Sequence, residues 1–186
     1  MKLTVTMLSG VALAFATPSF AQAQMSPTDV GASPMTGTSA TDYVKLAADG
    51  DMYEIQSSKL ALTKSKRADV KGFAKQMIAD HTKTTQSLKA ALVNQDRKIA
   101  PPPMMLSSAN QSKIDLLRKA PKGTFDQLYL QQQLQAHQMA WSLHDGYATD
   151  GQDPQLKQVA ATAVPIIEQH LSMVKGMAGA ATGQPM

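Results

Sequence analysis

Cysteine is absent from all 186 residues, which excludes a disulfide framework, a thiol-linked lipid anchor and thiolate chemistry. Aromatic residues are sparse, with one Trp, four Tyr and four Phe. They do not interleave with a basic stripe, and the lysines are spread along the chain, so there is no nucleic-acid footprint. Beyond the first two dozen residues no stretch approaches the roughly 18 apolar residues that a membrane span requires. β-Branched residues are scattered and no Asn-Gly or Asp-Gly pair sits between alternating runs, so no strand is expected. The chain also lacks a glycine-rich phosphate loop and a nucleophile in an elbow motif, which disfavours a transferase or a hydrolase.

What is present begins at the N-terminus. "MKLTVTMLSGVALAFATPSFAQA" combines one lysine, an apolar run and small residues ending in Ala21-Gln22-Ala23. That layout predicts a secretory signal peptide over residues 1–23, hence an exported protein, periplasmic or secreted, with no transmembrane segment after cleavage. Without Lys2, 17 basic and 14 acidic residues remain of the original 18 and 14, a net charge of about +3. Residues 24–40, "QMSPTDVGASPMTGTSA", predict a disordered spacer. A helical domain over 41–178 follows, and residues 179–186 predict a flexible tail.

Four long helical patterns fill the domain: about 42–64, 68–95, 124–149 and 153–179. Thr124 and Gln127 read as a capping box for the third, and Ser108 with Gln111 as another for a short helix before it. Asp153-Pro154 reads as an N-cap followed by proline at the first helical position. The first and second helices, and the third and fourth, are joined by a few residues each, which makes antiparallel neighbours. The second and third are separated by about 28 residues carrying Pro101 to Pro103 and the short helix. A 28-residue helix spans about 42 Å at 1.5 Å per residue, and a link of that length returns the chain to its starting end. The fold class is therefore all-α: a ferritin-like four-helix bundle of two antiparallel hairpins joined by a long crossover.

At about 100° per residue each helix acquires an apolar arc, and all four histidines of the chain, His81, His137, His144 and His170, fall on such arcs. Asp51 lies within the arc of the first helix, Glu54 at its edge, and Asp126 near the middle of the third. Burial raises the pKa of such a carboxylate unless a cation holds it ionised. A single histidine on an apolar face is most often a hydrogen-bonded core residue, and Asp126 also complements the helix dipole in a first turn. Asp80 does not orient His81, because adjacent helical residues do not face each other. The methionines at 77, 139, 173 and 177 read as core filler. Pro165 predicts a kink or sits on a solvent-facing edge.

The blocks "AADGDMYEIQSSKLAL", "VKGFAKQMIADHTKT", "FDQLYLQQQLQAHQ" and "VPIIEQHL", in this order, resemble the bacterial exported ferritin-like family called domain of unknown function 4142. The resemblance covers about residues 41 to 175. It implies an exported four-helix bundle whose recurrent polar positions are Glu54, His81, His137 and His170 here. An aromatic commonly stands where this chain has His144.

A di-iron bundle takes a Glu from each of two helices and a Glu-x-x-His from each of the others. Ile78 and Ile167 stand three residues before His81 and His170, so both motifs are missing and di-iron oxidase chemistry is disfavoured. Three histidines and one carboxylate from four helices suit a single divalent ion such as zinc, copper, nickel or iron, if they share one level along the bundle. Counted from the interhelical turns, Glu54 and His81 differ in level by about 6 Å, within side-chain reach. Asp51, Asp126 and His144 would then stand behind these ligands. Two functions stay open: a non-enzymatic structural or interaction role in the cell envelope, linked to stress, or a bundle that binds a metal or small ligand through its Glu/His core. The partners to expect are an envelope protein or a second copy of the chain.

Overall fold

The computed structural model describes residues 24–93 and 98–182, with side chains as far as Gly179. The expected signal peptide lies outside the described residues, as do the last four residues of the tail. Six helices are described: α1 (Pro27–Val30), α2 (Ala40–Lys64), α3 (Ala68–Ala91), α4 (Ser108–Lys119), α5 (Lys122–Asp150) and α6 (Pro154–Thr182). None among the described residues is long and apolar enough to cross a membrane.

The boundaries follow local chemistry. Ser39 caps α2 by accepting from the backbone N–H of Asp42, and Ser107 caps α4 by accepting from that of Asn110, each relieving an unpaired first-turn donor. The α4 cap lies one residue before the expected Ser108. Asp153 accepts from the N–H of Leu156 at 2.9 Å, with Pro154 at the first position of α6. α5 begins two residues before the expected Thr124, at Lys122 after Pro121, and uses no side-chain cap. α6 runs past Gly179 to Thr182. The start of the expected flexible tail is thus helical, carried by its alanines, which have the highest helix propensity.

The four long helices form a bundle. Tyr43 meets His144, Tyr53 meets Gln132 and Ser58 meets Tyr129, so α2 and α5 run antiparallel. Phe73 packs near Val174, and Leu88 near Leu156, so α3 and α6 are antiparallel as well. α3 therefore runs parallel to α5, an orientation that the crossover makes possible. α4 lies along α2: Ser107 and Asn110 bond Asp49 at one end, and Lys64 Nζ bonds the Leu117 and Arg118 carbonyls at the other.

Two apolar layers close the ends of the bundle. Near the α2–α3 turn, Ala61, Phe73, Met77, Phe125 and Tyr129 pack together. At the opposite end Tyr43 stacks on Tyr147 with ring centroids 4.1 Å apart, surrounded by Val44, Leu88, Leu143 and Leu156. Side chains held between layers packed at crystal-like density have few rotamers available. The polar residues of the centre occupy that space.

Residues 24–39 are not the disordered spacer that their composition suggests. Ser26 and Asp29 form a capping box around α1, and Val30 is fully buried beside Trp141, Ile167 and Leu171. The segment is fastened mainly through backbone groups: Met25 N–H donates to Glu168, Met35 N–H donates to the Ser142 carbonyl at 2.7 Å, and Gln138 donates to the Val30 carbonyl. Gly146 makes room for it, since a Cβ there would collide with the Met35 backbone. Anchoring by main chain onto the polar face of α5 leaves no apolar periodicity to read. Met139, expected on the buried arc of α5, is instead 65% exposed, and Pro165 lies on the exposed side of α6.

Candidate metal centre

Three helices of the bundle each send one imidazole to its middle. His81 from α3, His137 from α5 and His170 from α6 are all buried, and one ring nitrogen of each lies within 4.8 Å of the others. Ring centroids are separated by 5.8 Å for His81 and His137, 5.5 Å for His81 and His170, and 5.2 Å for His137 and His170. The faces that bring them together are those traced by the 3.6-residue period.

Each ring is held from outside by an acceptor. His81 Nδ1 lies 2.8 Å from Asp51 Oδ1, and that carboxylate is fixed in turn by the hydroxyls of Thr84 and Thr85. His137 Nδ1 lies 2.8 Å from the Gln133 carbonyl, one turn back on α5. His170 Nε2 lies 3.2 Å from Asp80 Oδ2. A carbonyl or carboxylate accepts only, so each of these outer nitrogens carries the hydrogen. In a neutral imidazole the other nitrogen is then a bare lone pair. The inward set is therefore His81 Nε2, His137 Nε2 and His170 Nδ1: three acceptors facing one another. His137 Nε2 and His170 Nδ1 are 3.3 Å apart, and His81 Nε2 is buried without a hydrogen-bond partner.

Three converging lone pairs form an arrangement that could hold a cation, and the electrostatics differ from ring to ring. Burial pulls His81 down, but the hydrogen bond and charge of Asp51, with Glu54 and Asp80 behind, more than offset it and raise its pKa. His137 is held well below its ordinary value by burial and by the charge on His81 and His170. His170 is pushed down to about 4 by burial and by His81, against the pull of Asp80. Of the three rings His81 is thus the one whose protonated form is favoured. Burial opposes the charge on Asp80, but the hydrogen bond to His170 and the attraction of Lys83 hold its carboxyl below the usual range.

Glu54 is buried beside the cluster rather than inside it. Its Oε1 lies 3.7 Å from His137 Nδ1, the outer nitrogen, and its Oε2 has no hydrogen-bond partner. Burial raises its pKa to about 7, with partial relief from His81 and Gln133. Three imidazoles with no carboxylate in the set is a poor donor set for two irons, which favour bridging carboxylates. It matches the three-ligand, open-position pattern of a mononuclear zinc or copper site.

The remaining expected residues fall at different levels. Asp51 stands directly behind His81. His144 lies seven residues beyond His137, about 10 Å along the helix. It bonds the Tyr43 hydroxyl at 3.0 Å, and burial pushes its pKa down to about 4. Asp126 lies eleven residues before His137, about 16 Å away along α5, at the end of the bundle where it influences Arg67. Asp80 was weighed from the sequence only against His81. It does not orient His81, its neighbour in the chain, but about 100° around α3 it reaches His170 on the adjoining helix. The signal was an acid one position beside an inward histidine, on the edge facing the next helix.

No curated protein and no solved structure matches the chain. The family model described as a domain of unknown function (DUF4142) matches residues 25–177, a span that takes in the N-terminal segment and every histidine of the cluster. The chain belongs to the DUF4142 family.

Proposed function

We propose that the protein is an exported ferritin-like bundle that binds one divalent transition-metal ion through His81 Nε2, His137 Nε2 and His170 Nδ1. One observation carries this reading: each ring has its outer nitrogen committed to an acceptor, so three lone pairs converge with no donor among them. Imidazole nitrogen favours copper and zinc among the available divalent ions. Asp51 and Asp80 supply the outer hydrogen bonds that fix ring orientation and raise ligand basicity. Glu54, beside the cluster at the outer nitrogen of His137, stays outside the ligand set and leaves a fourth position open. The compartment follows from the signal-like N-terminus, and an envelope protein or a second copy of the chain remains the partner in view.

Metal analysis of the untagged mature protein tests this. Zinc and copper should each bind at about one ion per chain and raise the melting temperature as mass action requires. His81→Ala and His137→Ala should abolish both effects. Sub-stoichiometric metal in the wild type, or an unchanged response in both variants, would sink the proposal.

A second reading rests on the same hydrogen bonds. Asp51 with His81 ties α2 to α3, and Asp80 with His170 ties α3 to α6, and buried polar contacts of this kind fix helix register.

A further inference from the structure

The bundle is not packed evenly at the level of the histidines. A cavity of about 660 Å³ enters between α2 and α5, bounded by α4 and by the N-terminal segment at Ala32 and Met35. Its size falls within the range of about 300–1,000 Å³ typical of small-molecule sites. Small residues on the facing helices create it. Ala47 and Gly50 on α2 stand opposite Ala136 and Ala140 on α5, and nothing lies within 4 Å of where a Gly50 Cβ would be.

The polarity of the cavity is graded along its depth. Leu46 and Met139, 43% and 65% exposed, line it at the surface, and Ile166 and Ile167 of α6 line it within. Glu54 and His81 also line it. These residues are 3% and 6% exposed, and each brings to the cavity lining a buried polar atom without a hydrogen-bond partner, Glu54 Oε2 and His81 Nε2. The other lining carboxylates are already committed. Asp51 accepts from His81, Thr84 and Thr85, and Asp49 accepts from the first turn of α4. An apolar cavity with a few convergent polar groups is the ordinary form of a ligand site.

We propose that this cavity binds an alcohol or a phenol, an uncharged and largely apolar molecule with a single hydroxyl. The hydroxyl donates to Glu54, and its oxygen presents a lone pair to the ion held by the three histidines; this second contact rests on the metal reading above. Charge selects against the alternatives. A carboxylate head would lie against Glu54, and Lys113, the lysine among the lining residues, already interacts with Glu54 and sits over the Tyr53 ring. An ammonium head would face the ion. A hydroxyl serves both groups because it is donor and acceptor at once.

Fluorescence titration with 1-naphthol, 1-naphthoate and 1-naphthylamine tests the proposal, on zinc-loaded and zinc-free protein. Zinc-loaded wild type should bind 1-naphthol saturably and at least about tenfold more tightly than 1-naphthoate. Gly50→Leu and Ala140→Phe, which fill the gap from opposite sides, should each weaken 1-naphthol about tenfold or more and leave zinc stoichiometry unchanged. Gly50→Leu also raises helix propensity, so it keeps a folded test if Ala140→Phe fails. No saturable binding of 1-naphthol, equal affinity in the filled variants, or tighter binding of 1-naphthoate overturns the proposal. Binding of 1-naphthol that is sensitive to Gly50→Leu in a protein that takes up no zinc upholds the cavity and removes the metal reading alone.

Discussion

His137 and His170 meet nitrogen to nitrogen at 3.3 Å, each with its other nitrogen already given to an acceptor. Two lone pairs at hydrogen-bond distance repel unless something positive lies between or beside them. In this bundle the third ring, His81, lies 5.5 Å and 5.8 Å from the other two, and its pKa is the one that is raised. A metal ion bound among the three rings would remove that repulsion.

Metal affinity should depend on pH in a defined direction. The incoming ion displaces the proton from His81, whose pKa is raised, while His137 and His170 stay neutral because theirs are lowered. Zinc affinity should fall as pH drops below the raised His81 value, by about tenfold per pH unit, the signature of one displaced proton. Calorimetric titration in buffers of different ionisation enthalpy counts that proton directly. A count near zero would show that His81 is not a ligand.

Asp80→Ala removes the acceptor behind His170 and leaves the ligand nitrogen in place. Loss of such an outer partner typically costs about 10–100-fold in metal affinity. The fold should be retained, because Asp80 lies near the surface of α3 and its contact with Lys83 is a 3.4 Å exposed pair of little worth. Competition with a chromogenic chelator reads the change, and an affinity equal to wild type would place Asp80 outside the site.

Glu54→Gln should stabilise the metal-free protein at alkaline pH. The folded pKa of Glu54 is raised to about 7 from 4.5, so its neutral form suits the fold. Relative to the unfolded chain, the stability it contributes is complete below about pH 4.5 and is lost as pH rises through about 7. Glutamine stays neutral throughout. The variant should gain on the order of 2–3 kcal/mol over wild type at pH 8, with most of the gain gone at pH 5. Urea melts at both values check the sign; a larger gain at pH 5 would contradict it.

Gly146→Ala should loosen the N-terminal segment, since its Cβ meets the Met35 backbone. Overpacking of this kind costs about 1–3 kcal/mol. Limited proteolysis should cut residues 24–39 faster in the variant, while zinc uptake, which uses no residue of that segment, stays the same. Unchanged cleavage would mean that the segment is held by Val30 alone.

Helical periodicity reveals side chains that face the bundle centre, and little else. His81, His137 and His170 were legible because a buried ring on an apolar arc can point only inward. Asp80 was missed because it sits on the edge of its arc and acts on a neighbouring helix, a relation that one helix considered alone cannot display. The N-terminal segment was missed for a different reason. Its anchors are the Met25 and Met35 amides and the Val30 carbonyl, and backbone groups are the same in every sequence. The start of α5 shifted from Thr124 to Lys122 because Pro121 can open a helix without a capping side chain. The interior cavity left only a faint trace, in four small residues on two helices whose facing could not be known beforehand.

The histidines also have a consequence for the chain as a polymer. His81 belongs to the first hairpin, and His137 and His170 to the second, so an ion shared among them crosslinks the two across the crossover. The loop closed between His81 and His137 spans 56 positions, the difference of their numbers. Tying the unfolded chain at those points would restrict it by about 4 kcal/mol on the chain-entropy scale used for disulfides. In a protein with no cysteine at all, bound metal would be the one covalent-strength stitch between its halves, and one that a chelator can undo.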